Sequence, residues 1–203
     1  MQITKIYPRG FASNCYVITA DNKTCIVIDP AQKRVEGELL KLGLSPKYVL
    51  LTHCHFDHVD GAKGLQDSGA KVLCYTAERQ NVGTSVDLYD AFGAPRTYFR
   101  VDDTFLDNET KELCGVKVTA LHTPGHTSGS CCYLIEQDGE RHLFTGDTLF
   151  AGSIGRTDFP TGSGAQMQAS LQRLKSLDGD MPVYAGHEED TTLETERKRN
   201  PFM

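Results

Sequence analysis

The chain has 203 residues, of which 39% are hydrophobic and 24% are charged, a globular composition that argues against disorder. It carries 21 Lys and Arg against 27 Asp and Glu, and the net charge of −6 argues against general binding to nucleic acid or anionic membranes, which favour a basic face. On a prior of about 150 residues per domain, residues 1–203 are predicted to form a single domain.

Apolar runs and cysteines bear on where the chain resides. No apolar run approaches the roughly 20 residues that a membrane-spanning helix needs. The first residues, MQITKIYPRGF, lack the apolar core of a secretory signal. The 7 cysteines form no CxxC pair, and an odd number without an export signal indicates reduced thiols. These observations predict a cytoplasmic protein with no membrane partner.

Short β-type runs and helical patterns alternate irregularly along the chain. Strands are predicted at 3–7, 15–19, 25–29, 48–52, 71–75, 98–101, 116–121, 131–135, 142–145 and 183–185. Helices are predicted from Val35 to a stop at Gly43, over 59–68, around 77–82, after 162–164 and in TTLETERKR, with a surface excursion at 83–96. Because several strands are adjacent, the pattern favours a layered α/β sandwich over a βαβ barrel.

Four of the β-type runs lead into a candidate metal ligand. YVLLT precedes His53, VTALHTPG precedes His126, HLFTG precedes Asp147 and PVYAG precedes His187. Loops at strand ends can hold residues that are distant in sequence on one rigid support. The pattern therefore predicts one site at one edge of the sheets.

The strongest local signal is HCHFDH at positions 53–58. Alternate residues of an extended segment point the same way, so His53 and His55 can hold one ion together, whereas Cys54 points away and is predicted to be inert core. Asp57 and His58 follow as the chain turns toward a helix and can face a neighbouring ion. An HxHxDH pattern arises by chance in roughly 6 of 10,000 chains of this composition, a low false-positive risk.

Three further residues gain weight from this cluster: His126 in TPGHTSGS, Asp147 in FTGDT and His187 in YAGHEED. Any one of them alone would be an ordinary surface or core residue. Imidazole and carboxylate are ligands that suit zinc, iron or manganese, and none of the candidate ligands is a thiolate.

The order of these motifs resembles that of metallo-β-lactamase-fold hydrolases. Asp29 after VI, HCHFDH, TPGHTSGS, FTGDTLF and the late AGH match the landmarks of that superfamily over nearly the whole length. Within it, FTGDTLFAGSIGRTDF and ERKRNPF resemble the glyoxalase II (hydroxyacylglutathione hydrolase) branch, in particular its short single-domain bacterial members. The resemblance implies a four-layer αββα sandwich with the site at the open edge of two facing sheets.

The resemblance also implies two divalent metal ions, with zinc foremost and iron or manganese as alternatives. One ion would take His53, His55 and His126, the other Asp57, His58 and His187, and Asp147 would bridge them. Asp57 and Asp147 are the predicted catalytic carboxylates. Asp29 would help to orient the histidine cluster, or would be an ordinary turn residue at the end of a strand.

The predicted activity is thioester hydrolysis. A bound metal lowers the pKa of water from 15.7 to about 7, which makes hydroxide available at neutral pH. A leaving thiolate, with a conjugate-acid pKa of about 8.5, needs little acid assistance, whereas an amide nitrogen needs a proton donor. The first hypothesis is a metal-dependent thioesterase for S-acyl-glutathione or a similar small thioester. Two-domain glyoxalase II enzymes contact glutathione through an additional C-terminal helical domain, which this chain is expected to lack, so another carrier thiol stays open.

Other functions remain open at this stage. GRTDF resembles the corresponding element of persulfide dioxygenases, in which one iron would be held by His53, His126 or another histidine of the cluster, together with Asp147; members of that kind use His55 and His126 with Asp147. A phosphodiesterase or nuclease is disfavoured by the acidic charge and by the lack of an inserted substrate-clamping domain. A purely structural metal is disfavoured because such sites have four closed ligands.

Several residues outside the candidate ligand set are predicted to have other roles. Arg156 should overhang the site and either contact a substrate carboxylate or pair with Asp158. ERKRNPF, at 196–202, is a small cationic cluster that would hold an acidic ligand or form a solvated helix face. His122 is predicted to form a strand-end hydrogen bond, and His142 to lie on the surface.

Overall fold

Fourteen strands form two six-stranded sheets and one small hairpin in the structure, a computed structural model that describes residues 1–203. The first sheet contains, in spatial order, β1 Gln2–Ile6, β2 Cys15–Thr19, β3 Thr24–Ile28, β4 Ser45–Leu51, β5 Lys71–Tyr75 and β6 Asp103–Phe105. The second contains β7 Thr110–Leu113, β8 Val116–His122, β9 Cys131–Gln137, β10 Glu140–Gly146, β13 Pro182–Ala185 and β14 Thr191–Thr192. The hairpin pairs β11 Leu149–Phe150 with β12 Ser153–Ile154.

Six α-helices and two short 3-10 turns connect the strands. The helices are α1 Val35–Leu42, α2 Phe56–Val59, α3 Ala62–Asp67, α4 Tyr89–Phe92, α5 Gly164–Lys175 and α6 Leu193–Arg199. The 3-10 turns are Glu78–Gln80 and Ser85–Asp87. None of the helices has the length and apolarity needed to cross a membrane, and no disulfide joins the cysteines.

The strand pattern produces the layers. Successive side chains of a strand point to opposite faces, so each strand can supply two cores. In β3, Ile26 faces the second sheet and Val27 faces the helices that cover the first. In β9, Cys131 lies between the sheets, whereas Cys132 packs on the outer side with Met167 of α5. The four-layer αββα sandwich is confirmed, and the two adjacent cysteines face opposite ways.

The predicted helix over 59–68 is wrong as a continuous element. The chain forms α2 and α3 instead, with a break between Val59 and Ala62. At this break the backbone N–H of Gly61 donates to the carbonyl of Pro30 at 2.7 Å. This tertiary hydrogen bond connects the break between α2 and α3 to the loop after β3.

The segment between β5 and β7 also differs from its prediction. Residues 98–101 form no strand, because the partner of β5 is β6, two residues further on. The helix predicted around 77–82 is a single 3-10 turn. The excursion at 83–96 is not confined to the surface, since Val86, Leu88 and Tyr89 are buried. Strand β7 was not predicted, because its exposed residues carry no apolar alternation.

Candidate metal centre

The seven predicted ligands lie together at one edge of the two sheets. The HCHFDH residues follow β4, His126 lies in the loop after β8, Asp147 follows β10 and His187 follows β13. Their side chains form three overlapping groups in which one ligand atom per residue lies within 4.8 Å of the others. The groups are His53, His55 and His126; His53, His58 and Asp147; and Asp57, His58 and His187.

The first group is a buried trio of imidazoles. The Nε2 of His53 is 3.1 Å from the Nδ1 of His55, which is 2.8 Å from the Nε2 of His126. Two nitrogens bound to one zinc ion at about 2.1 Å in tetrahedral geometry lie about 3.4 Å apart, so the nitrogens of this trio are close enough to share one ion. The other ring nitrogen of His126, Nδ1, lies 2.7 Å from the carbonyl of Arg156, a hydrogen bond that fixes the ring and leaves Nε2 for an ion.

Asp147 links this trio to the remaining ligands. Its Oδ1 lies 3.2 Å from the Nε2 of His58, and its Oδ2 lies 3.5 Å from the Nε2 of His126 and 3.6 Å from that of His187. The Oδ2 of Asp57 lies 3.2 Å from the same nitrogen of His187. Asp147 therefore lies between the group of His53, His55 and His126 and the group of Asp57, His58 and His187, which is the position of a bridging ligand.

Three buried polar atoms of the cluster make no hydrogen bond of good geometry: the Nε2 atoms of His55 and His58, and the Oδ1 of Asp147, of which the last two face each other at 3.2 Å. Buried polar side chains in proteins are nearly always hydrogen-bonded. The Nε2 of His58 and the Oδ1 of Asp147 converge without a well-formed hydrogen bond, which fits a divalent cation. The cluster can hold metal ions.

The charge state of the cluster also suits a cation. Burial and the neighbouring imidazole of His126 lower the pKa of His55 to about 3, and burial with nearby His58 lowers the pKa of His53 well below its usual range. Both rings are therefore neutral at neutral pH, as a metal ligand must be. Burial alone would lower the pKa of His58, yet the carboxylates of Asp147 and Asp57 raise it well above its usual range. These carboxylates attract positive charge to this position.

Residues 8–187 match the family model of the metallo-beta-lactamase superfamily. The chain belongs to this superfamily. It is 34% identical over 210 residues to hydroxyacylglutathione hydrolase GloC of Haemophilus influenzae. This alignment covers 100% of this chain and 98% of that protein. Among solved structures, BLEG-1 B3 metallo-beta-lactamase superposes with a TM-score of 0.90 at 29% identity over 99% of both chains. TTHA1623 in a di-iron-bound form superposes with a TM-score of 0.85 at 29% identity, over 98% of this chain and 100% of its own.

In this superfamily member, Asp29 contacts the histidine cluster directly. Its Oδ2 lies 2.9 Å from the Nδ1 of His58 and accepts the Thr52 hydroxyl at 2.7 Å, while its Oδ1 accepts the Thr52 backbone N–H at 2.8 Å. Asp29 is also a turn residue with a φ of 48°. The geometry favours the orienting interpretation, because the hydrogen bond to Nδ1 turns the Nε2 of His58 toward Asp147.

Replacement of Asp29 should destabilise the protein even without metal. Asp29→Ala leaves the N–H of His58 and the backbone N–H of Thr52 buried without an acceptor, and we expect the free energy of unfolding to fall by about 3 kcal/mol. Urea denaturation in the presence of a chelator measures this change. Glu112→Ala, on an exposed position of β7, is the control and should leave the midpoint unchanged. An unchanged midpoint for Asp29→Ala would contradict the orienting role.

The cluster forms the floor of an open cleft of about 490 Å³. Phe11, Phe92 and Phe159 form an aromatic wall, and the Phe11 side chain is 89% exposed. Arg156 lines the same cleft, pairs with both oxygens of Asp158 at 2.7 Å and stacks on Phe159 at 3.9 Å from the ring centroid. Arg156 thus overhangs the site and forms the predicted pair, and the cleft has a cationic rim above an apolar wall.

The aromatic wall and several backbone contacts were missed in the sequence. The N–H of Ser13 donates to the carbonyl of Asp57 at 2.9 Å, and that of Asn14 donates to the carbonyl of Gly186 at 2.7 Å. Backbone donors carry no residue signature, so no pattern could have indicated these contacts. The phenylalanines come from separate segments of the chain, two loops and the end of α4, and each alone is typical of ordinary core.

The remaining minor predictions have mixed outcomes. The Nε2 of His122 forms the expected strand-end hydrogen bond, at 3.1 Å from the carbonyl of Ser128. His142 is half-buried against Tyr184 rather than on the open surface.

The solvated-face interpretation of ERKRNPF is wrong for one side of α6, because Glu196 and Asn200 are buried and form hydrogen bonds with the β11–β12 hairpin. Cys54 is buried, and burial together with nearby Glu78 raises the pKa of its thiol well above the usual range, consistent with an inert role.

Proposed function

We propose that the chain is a metal-dependent thioesterase that cleaves S-acyl-glutathione or a similar small thioester with two divalent ions, zinc foremost. The observation that carries this proposal is the convergence of seven imidazole and carboxylate groups on a cleft floor, where the buried Nε2 of His58 and Oδ1 of Asp147 make no well-formed hydrogen bond. Metal identity, the predicted cytoplasmic location and a small-molecule partner belong to the same proposal.

The proposed ligand residues form two metal sites that share one carboxylate. When bound, the metal ions supply a water of lowered pKa and a positive charge for the oxyanion that develops. His53, His55 and His126 would hold one ion, while Asp57, His58 and His187 would hold the other, with Asp147 shared. The carbonyl of Arg156 and the carboxylate of Asp29 fix two of these rings.

The walls of the cleft suit a thioester. The aromatic wall supplies apolar surface for the acyl part. A departing thiolate needs little protonation, so the reaction does not require an additional acid residue. The full-length likeness to hydroxyacylglutathione hydrolase GloC also supports a thioester substrate.

The test combines metal analysis with a substrate panel. Purified protein prepared without added metal is analysed for bound ions and assayed with S-lactoylglutathione, a β-lactam, and glutathione persulfide with oxygen uptake. We expect two ions per chain and hydrolysis of the thioester, lost with a chelator and restored by the metal. Protein with two metals that leaves S-lactoylglutathione untouched would contradict this substrate. Oxygen uptake would indicate the dioxygenase instead.

We further propose that Arg156 binds a carboxylate of the substrate thiol. Arg156→Ala should raise KM for an anionic thioester about tenfold while kcat stays nearly constant, because a contact present throughout the reaction affects binding alone. The matched control is Arg100→Ala, which removes another exposed arginine paired with an aspartate two residues later but outside the cleft. An unchanged KM for Arg156→Ala would leave only the Asp158 pair as its role.

A further inference from the structure

Glu78 is a fully buried acidic residue outside every motif of the sequence, in the 3-10 turn after β5. Its Oε1 accepts the backbone N–H of Cys54 at 2.8 Å. Its Oε2 accepts the Thr127 hydroxyl at 2.8 Å and the side-chain amide of Asn81 at 2.7 Å. These donors are uncharged, so these hydrogen bonds must offset the cost of burying the carboxylate.

The two loops that Glu78 joins carry the three histidines of the buried trio. Cys54 lies between His53 and His55, and Thr127 directly follows His126. The ligand atoms of His55 and His126 are 2.8 Å apart although 71 residues separate them in the sequence. Both loops therefore require a common anchor to keep this spacing, and one carboxylate reaches both.

The loop after His126 also packs directly on the Glu78 turn. A Cβ atom at Gly129 would lie 2.2 Å from the backbone nitrogen of Glu78 and 2.4 Å from its Cα. Only glycine permits such a close approach of the two backbones. The contact adds a steric constraint to the hydrogen bonds and leaves little freedom in the distance between loop and turn.

We propose that Glu78 is a positioning residue that sets the spacing of the three histidines by tying the 53–55 segment to the 126–130 loop. It acts through Cys54 and Thr127 and contacts none of the ligand side chains by hydrogen bond. This inference rests on the proposed metal roles of His53, His55 and His126, and it is independent of the substrate.

The test measures metal binding rather than turnover. Zn²⁺ affinity is obtained by competition with a chromophoric chelator, and the ligand geometry is followed by the absorption spectrum of the Co²⁺ form. We expect Glu78→Ala to bind Zn²⁺ about 10–100-fold more weakly and to change the Co²⁺ spectrum. Glu78→Gln keeps the shape of the side chain and one acceptor oxygen, so its loss of Zn²⁺ affinity should be smaller. This variant provides the test if the alanine variant does not fold.

Two further variants separate positioning from a general loss of stability. Glu196→Gln alters a second buried glutamate, which accepts the Gly152 N–H at 2.8 Å in the hairpin, and it should keep wild-type Zn²⁺ affinity. Thr127→Val removes the hydrogen bond from Thr127 to Glu78. It should therefore weaken Zn²⁺ binding in the wild type and cause little further loss of affinity in the Glu78→Ala background.

The outcomes distinguish this inference from the proposed function. A Glu78→Ala protein with wild-type Zn²⁺ affinity and an unchanged Co²⁺ spectrum would overturn the positioning role alone. Equal losses in Glu78→Gln and Glu196→Gln would also overturn it, since they would reflect stability. A wild-type chain that binds no metal would overturn both proposals.

Discussion

Asp147→Asn should lower the metal content of this chain and greatly reduce its activity. Asp147 faces three of the ligand histidines at 3.2–3.6 Å, and its exchange for an amide removes the negative charge that lies between the two outer groups. The charges of His58 and His126 hold the pKa of Asp147 below its usual range even though burial acts in the opposite direction, so the side chain is a carboxylate at neutral pH. The amide preserves its shape and removes only the charge.

The expected loss follows from the loss of ion binding. A metal at the reacting centre supplies several kcal/mol of transition-state stabilisation, and about 4 kcal/mol corresponds to roughly 10³-fold in kcat/KM. We expect fewer than two ions per chain by elemental analysis and at least that loss of thioesterase activity. Asp138→Asn is the matched control, because it makes the same exchange at an exposed turn with a φ of 52°. Retention of both ions and wild-type activity by Asp147→Asn would refute the bridging role.

Gly186→Ala should disable the same centre by steric means alone. A Cβ atom at this position would lie 2.3 Å from the Oδ1 of Asp147 and 2.8 Å from the Cε1 of His58. The added methyl group therefore forces apart two side chains whose ligand atoms are 3.2 Å apart. Because a misplacement of about 1 Å can cost roughly 10²-fold in rate, we expect kcat/KM to fall by at least that factor.

The metal content and the fold should respond differently to this substitution. We expect Gly186→Ala to lose one of the two ions, measured by elemental analysis, while circular dichroism shows the wild-type fold. Gly37→Ala is the matched control, since a Cβ atom at Gly37 in α1 would meet nothing within 4 Å, and it should stabilise the helix by about 0.5–1 kcal/mol with unchanged metal content. Two bound ions and normal activity in Gly186→Ala would show that Asp147 and His58 can move away from the added methyl group without harm to the site.

Local sequence patterns determined the layers of this protein and its set of candidate metal ligands. Strands β2 and β5 have the predicted bounds because a β-strand buried on both faces leaves a continuous apolar run. The candidate ligands could be recognised because four of them lie within six consecutive positions and the others follow predicted strands. Where the signal was tertiary, prediction failed: the hydrogen bond of Gly61 to Pro30 divides the expected 59–68 helix.

The tertiary structure alone decided how the ligands are held. The Glu78 anchor, the close approach at Gly186 and the contacts of Ser13 and Asn14 join segments that are far apart in the sequence. Such contacts depend on backbone atoms, on excluded volume and on which loops meet, none of which produces a periodic pattern or a motif. The sequence by itself therefore identified the residues that can bind metal, while their spacing and support came from long-range packing that only the folded chain creates.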